Sequence, residues 1–281
     1  MQEMIFLWVM ALIWIIFAVV QDLRTKEIAN WLNFSLIIFS LGFRFFYSLF
    51  SGSGFSFFYN GLIGLVIFFV LGNLFYYGRM FAGGDAKLLV SLGAVLPFYP
   101  DFLSNMQSFF VFFLIFLSVG SFYTLVTSTF FCLKKFDSFK KAFASEFKEK
   151  KKIIFLNMIL GLIFMALGFI NFVFIWLGVL IFMMSYLYLY ANAVDKGCMI
   201  KKTNTKKLTE GDWLYSDLNI GRRIIKAKWE GLSKRNIKDI EKKYKTVRIR
   251  QGIAFSPVFL ISFVIFAVIT FLGIELWNAF W

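Results

Sequence analysis

The sequence predicts an all-α polytopic membrane protein of about eight transmembrane helices, with a small basic cytosolic segment before the last one. Three observations predict it. Of 281 residues, 60% are hydrophobic and 41 are phenylalanine, which is too apolar for a soluble domain. Apolar runs of membrane-spanning length recur along the chain. The positive charges all but avoid one side of those runs.

The runs are 4–21, 31–50, 56–78, 86–103, 105–132, 153–169, 172–190 and 253–276. The first begins Met-Gln-Glu rather than with lysines. It ends in Gln-Asp-Leu-Arg, which is no small-residue cleavage site, so it reads as a retained helix. With the N-terminus outside, alternation puts 22–30, 79–87, 133–152 and 191–252 inside. These hold 2, 2, 8 and 17 Lys or Arg, 29 of the chain's 30. Arg44 is the exception. The outside segments carry Glu3, Asp101 and Glu275 and no positive residue. The same partition requires a tight hairpin near 168–171. It also requires the fourth run to cross, although only 11 residues separate Asp85 from Pro97, fewer than the ~20 of a full span. Residues 97–103 would complete the depth, and non-helical backbone there must be buried against protein. The expected organisation is a transmembrane core over 1–132, a basic cytosolic loop over 133–152, a transmembrane hairpin over 153–190, a soluble cytosolic segment over 191–252, and a final transmembrane helix within 253–281.

The soluble segment mixes aromatic, acidic and basic residues, and 233–244 reads as an amphipathic helix capped by Ser233. About 60 residues is small for an independent domain, so the segment is expected to lean on the membrane face, where its charge suits anionic headgroups. The net charge of +14 follows the positive-inside pattern and predicts lipid rather than nucleic acid as the partner. The chain has no histidine, which removes Ser-His and Cys-His catalysis. Cys132 and Cys198 form no Cys-x-x-Cys pair and suggest neither a disulfide framework nor a zinc site. No metal or cofactor is expected. Hydrolytic chemistry, if present, must use carboxylates, lysine or hydroxyls.

Two acids stand at helix ends on the same inner side. Asp22 lies in "QDLRTKEIAN" and Asp85 in "FAGGDAKLL". Ionisable groups at membrane depth are rare and usually functional. Each has a structural alternative: Asp22 as an interfacial residue beside Arg24, Asp85 as an N-cap for the helix that follows. Gly83 and Gly84 permit a tight bend or close backbone approach before the second acid, or simple helix packing.

The two motifs together resemble the type IV prepilin peptidases, GxGD-type intramembrane aspartyl proteases, and most closely their archaeal prepilin and preflagellin branch. The family's Asp-x-Arg followed by Ile-Pro-Asn is matched by Asp22, Arg24, Ile28 and Asn30, with Ala29 in place of the proline. Its Gly-x-Gly-Asp-x-Lys is matched by Gly84, Asp85 and Lys87, with Ala82 in place of the first glycine. The resemblance covers 1 to about 132; "LTEGDWL" and "QGIAFSP" are similar to the archaeal C-terminal extension. Bacterial members carry a cysteine-rich insert between the first two helices and methylate the new N-terminus. Only 21–30 connects those helices here, so no methyltransferase activity is expected.

The resemblance implies a membrane endopeptidase that removes the short basic leader of pilin-like or archaellin precursors at the cytosolic membrane face. Asp22 and Asp85 would be the catalytic pair, with Gly83, Gly84, Lys87, Arg24 and Asn30 in support. Two adjacent carboxylates share one proton, so one activates water while the other polarises the carbonyl. Ion pairing of the aspartates with Lys87 and Arg24 would be the competing, structural arrangement. Glu210, Asp212 and Asp217 are candidate receivers of the leader, or solvated loop acids. The rival readings are a presenilin-like protease, whose Tyr-Asp and Pro-Ala-Leu motifs are absent, and a proton- or cation-coupled transporter, which favours midplane acids and an internal repeat.

Overall fold

The computed structural model describes residues 2–52, 54–221, 223–229 and 231–273, so Glu275 and the end of the last apolar run lie outside the described residues. The chain forms two compact units, 1–124 with 254–281, and 125–253. Six helices are long and apolar enough to cross a membrane: α1 (Gln2–Thr25), α2 (Asn30–Phe50), α3 (Ser56–Tyr77), α5 (Phe102–Lys134), α6 (Phe136–Ala166) and α7 (Val173–Gly197). Among the described residues one shorter helix is also apolar, the described part of α9 (Ser256–Phe271), and α4 (Gly83–Gly93) is a helix of 11 residues. The protein is a multi-pass α-helical membrane protein. Six helices of spanning length are present among the described residues, against the eight runs expected.

The first unit is built around the short helix. Seven of the 11 residues of α4 are buried, among them Asp85, Leu88, Leu89 and Leu92. It packs on α3 and α2 through residues without bulk. A Cβ on Gly72 would lie 2.7 Å from Val90 Cγ2. A Cβ on Gly64 would overlap the Gly93 carbonyl and come 2.5 Å from Pro97 Cγ. Small residues are what let helix backbones approach this closely in lipid. The long helices instead expose large apolar side chains over most of their surface, such as Phe17, Ile38 and Val70, as expected of helices apolar on every face.

Helix α4 stops at Gly93, shortly before Pro97, which disfavours helical backbone in the residue ahead of it. Residues 94–98 are nevertheless buried. Their amides fold back in turn contacts, Val95 and Leu96 both donating to the Leu92 carbonyl. Their carbonyls are served by Arg44, which is 0% exposed. Arg44 donates from Nε to the Ala94 carbonyl at 2.9 Å, and from Nη2 to those of Val95 at 2.9 Å and Pro97 at 2.6 Å. Its Nη1 reaches the Phe57 carbonyl at 3.0 Å, and the guanidinium lies 4.3 Å from the centre of the Phe57 ring. Asn60 and Asn105 take over further along, both donating to the Tyr99 carbonyl. Arg44 thus stands outside the charge partition because it braces the end of a half-helix.

In the second unit, α6 and α7 form the expected hairpin, closed by a 3-10 turn at Leu167–Phe169. Gly161 and Gly178 face each other at its crossing, where a Cβ on Gly178 would lie 2.7 Å from the Gly161 carbonyl. The stretch 133–152, expected as a loop, is helical. Helix α5 runs to Lys134 and α6 starts at Phe136. Lysine is a good helix former, so its charge marks where the chain leaves hydrocarbon without ending the helix. At 33 residues α5 is about 50 Å long, well beyond the ~30 Å core of a bilayer. Buried Glu146 pairs with Lys150 and Lys196.

The soluble segment is mixed rather than helical. An antiparallel sheet runs β1 (Ile200–Asn204), β5 (Thr246–Arg250), β2 (Trp213–Leu214), and β3 (Leu218–Ile220) pairs with β4 (Arg223–Ile225) as a hairpin. Helix α8 (Lys234–Lys243) is capped by Ser233, whose Oγ accepts from the Asn236 amide at 3.3 Å. Ile240 of α8 joins Val247 and Ile249 of β5 in a small core.

Candidate active site

Asp22 lies in the last turn of α1. The helix ends because Lys26 turns left-handed, at φ 60, and its amide donates to the Asp22 carbonyl at 2.8 Å. The link to α2 is then fixed from behind: Gln21 Oε1 accepts the Ala29 amide at 3.0 Å. Ala29 caps α2 with φ −64, an angle proline would also hold. Keeping an alanine there leaves an N–H that needs a partner, and Gln21 supplies it.

The second motif enters through another left-handed residue, Arg79, at φ 60. Ala82 is the N-cap of α4 with φ −69, so no glycine is required at that position. Gly83 and Gly84 are the first helical residues, not a hinge, and neither has a positive φ. Gly84 matters for packing, since a Cβ there would sit 3.2 Å from Ile28 Cβ. That close approach joins the two motifs directly, since Ile28 is the buried apolar residue of the first. Gly83 has only an ordinary neighbour, Tyr76 at 3.7 Å. Asp85 stands in the first turn of α4, where the helix dipole favours a carboxylate. It does not cap the helix, because Ala82 holds that place.

The fold brings Asp22 and Asp85 together. Each is 9% exposed, and they stand on motifs that the close approach of Gly84 to Ile28 and the Lys87–Asn30 bond hold side by side. Lys87 and Arg24 are exposed, and among the described residues neither forms an ion pair with an aspartate. Lys87 instead donates to Asn30 Oδ1 at 2.6 Å, a second link between the motifs. The ion-paired arrangement is therefore absent, and the two acids remain a pair without a counter-ion among the described residues.

Two parts of this site escape a motif-by-motif reading. The Ser256 amide, at the start of α9, donates to Asp22 Oδ2 at 3.4 Å. Phe255 and Phe259 pack on Phe81, with ring centres 5.5 and 6.3 Å away. A Ser-Pro pair opening an apolar run signals a helix start, but nothing in it points to Asp22. The candidate leader-receiving acids are occupied within the second unit. Glu210 lies 3.6 Å from Lys234, Asp212 accepts the Thr209 amide and Asp217 the Ala227 amide.

Residues 9–128 match the sequence profile of the type IV leader peptidase family. A preflagellin peptidase of Methanococcus maripaludis (strain C6) is 36% identical over 83 residues, which make up 30% of this chain and 35% of that protein. The chain thus spans about a third of the length of the curated relative it matches. No solved structure matches.

Proposed function

We propose, for a chain whose residues 9–128 are of the type IV leader peptidase family, that it is an aspartyl endopeptidase of the prepilin and preflagellin type. It removes the basic leader from pilin-like or archaellin precursors. The observation that carries this reading is the pair itself: two buried aspartates on separate motifs that meet at Gly84 and Ile28, with no cationic partner among the described residues. Two such carboxyls hold one proton between them. The ionised one takes a proton from water as the oxygen attacks the scissile carbonyl. The protonated one polarises that carbonyl and then protonates the leaving amine. Because the groups titrate as a unit, the roles belong to the pair and not to fixed residues. Lys87 and Asn30 hold the motifs in register, and Gly84 lets them meet.

In this reading the site faces the cytosol, the N-terminus is outside and the membrane is the plasma membrane, in keeping with 29 of 30 Lys and Arg on one side. Basic surfaces then meet anionic headgroups.

The test is precursor processing at matched membrane expression. Asp22→Asn and Asp85→Asn should each abolish leader removal, and the double variant should be no worse, since groups that act together are non-additive. Asp101→Asn, at the cap of α5, should leave processing nearly intact. The rate should rise and then fall with pH. Substantial cleavage by Asp85→Asn would refute the proposal. One observation favours a second reading: α4 is a broken helix backed by non-helical chain, as in ion-coupled carriers. Aspartate variants that cleave normally but lose ion-coupled uptake would establish it.

A further inference from the structure

The aspartate site reaches beyond the segment that matches the family profile. Helix α9 begins Ser256-Pro257, and the proline has no N–H to give. The amide of Ser256 is the foremost donor of that helix end, a group with no partner inside the helix, and it lands on Asp22 Oδ2. The residues are 234 apart in sequence. The same turn is anchored to the second motif, because Phe255 packs tilted and Phe259 edge-on against Phe81, four residues before Asp85. It is also pressed against α5, where a Cβ on Gly120 would come 3.0 Å from Phe255 Cζ. The first turn of α9 therefore touches both aspartate-bearing segments. Ser256 is 0% exposed, and its hydroxyl has no hydrogen-bond partner among the described residues. A buried hydroxyl without a partner is disfavoured, and this one is a single torsion from its own amide's contact with the carboxylate.

We propose that Ser256 is a positioning residue for Asp22, its amide fixing one carboxylate oxygen and its hydroxyl turning to donate to the same carboxylate with or without substrate. This rests on Asp22 being half of the catalytic pair. The positive end of α9 adds to the effect, and α9 carries no ionisable side chain over Ser256–Phe271. Among the described residues, the charged groups to weigh beside Asp22 are Asp85, from α4, and the exposed Arg24, Lys26 and Glu27 on its own connection. Held at one oxygen, Asp22 keeps the other for water or Asp85.

The experiment compares Ser256→Ala with Ser262→Ala in the full chain in detergent. Ser262 lies on the same helix, is equally buried and also lacks a partner, so it controls for loss of a buried hydroxyl as such. The first readout is cleavage of a synthetic peptide with a basic leader followed by an apolar helix. Ser256→Ala should lower kcat about tenfold with KM within about twofold, the loss of one hydrogen bond to a charged group. Ser262→Ala should match wild type. The second readout needs no activity: the rate at which a hydrophobic carbodiimide modifies Asp22, read by peptide mass spectrometry. It should rise in Ser256→Ala and stay unchanged in Ser262→Ala. Equal behaviour of the two variants in carbodiimide modification overturns the role of Ser256. Failure of wild type to cleave, with modification still responding to Ser256→Ala, overturns the peptidase reading and leaves the contact standing.

Discussion

Replacing Arg44 with methionine isolates the force that keeps a half-helix in place. The guanidinium makes four hydrogen bonds to carbonyls, those of Phe57, Ala94, Val95 and Pro97, between 2.6 and 3.0 Å. Methionine has similar length and no donor. Each buried carbonyl left without a partner costs about 1–3 kcal/mol, or about 4–12 for the four. Against this, an unpaired guanidinium no longer has to be buried, a saving of several kcal/mol. With about 8 kcal/mol lost at the middle of that range and about 3–5 recovered, the net loss is about 3–5 kcal/mol. The assay is thermal unfolding in detergent, followed by helical circular dichroism, with Arg44→Lys alongside. Lysine has three donors on one nitrogen and cannot span the Phe57 carbonyl and those of the turn after α4 as a planar fork does, so it should fall between. A second site checks the geometry. A Cβ on Gly61 would lie 2.5 Å from Arg44 Cδ, so Gly61→Ala should destabilise wild type and do little in Arg44→Met. A methionine variant as stable as wild type would refute the reasoning, by showing that burying the charge costs as much as its four bonds return.

Two further outcomes follow from close contacts. Gly84→Ala should lose about 1–3 kcal/mol of stability and cut precursor cleavage about tenfold, because its Cβ meets Ile28 at 3.2 Å; Gly83→Ala, with 3.7 Å to its nearest neighbour, should keep cleavage within about twofold. Equal losses in the two would show that the glycines serve backbone freedom and not packing. The Cys198 thiol is buried 3.7 Å from Cys132, and burial pushes it up to about 11. Iodoacetamide at pH 8 should therefore label it about a hundredfold more slowly than an ordinary thiol, faster as pH rises toward 11, and at the normal rate after unfolding. Labelling of the folded protein at the normal rate would mean the site opens readily.

The positions of the helices were legible because hydrocarbon imposes a coarse rule on composition. The aspartate pair was legible because a carboxylate amid apolar residues has few uses. Other features resist that logic. Arg44 reads as a stray charge until the carbonyls it serves are in view, and these lie 50 or more residues downstream for Ala94, Val95 and Pro97. The contact of Ser256 with Asp22 depends on how the last helix packs along the first, which no local pattern encodes. The strands of the soluble segment left a trace: "TVRIR" alternates, and Val247 and Ile249 are its buried residues. The surrounding charges mask that period of two. The pair Gly83 and Gly84 suggests a hinge because glycine allows one, yet both are helical, and only the neighbouring chain reveals that bulk was being excluded.

Chain order gives the brace around α4 a temporal meaning. Arg44 is synthesised 50 residues before Ala94, and Phe57 also precedes its partners on the α4 side. While α2 and α3 enter the membrane, the guanidinium has only the Phe57 carbonyl of its eventual four acceptors, so it is most stable snorkelled toward water. Helix α4, with 11 residues, is too short to be retained by its own apolarity. Its arrival supplies the missing acceptors, and the earlier helices supply the donors it lacks. Neither half is satisfied without the other, so the aspartate of α4 comes to rest beside the first motif only as the guanidinium finds its acceptors.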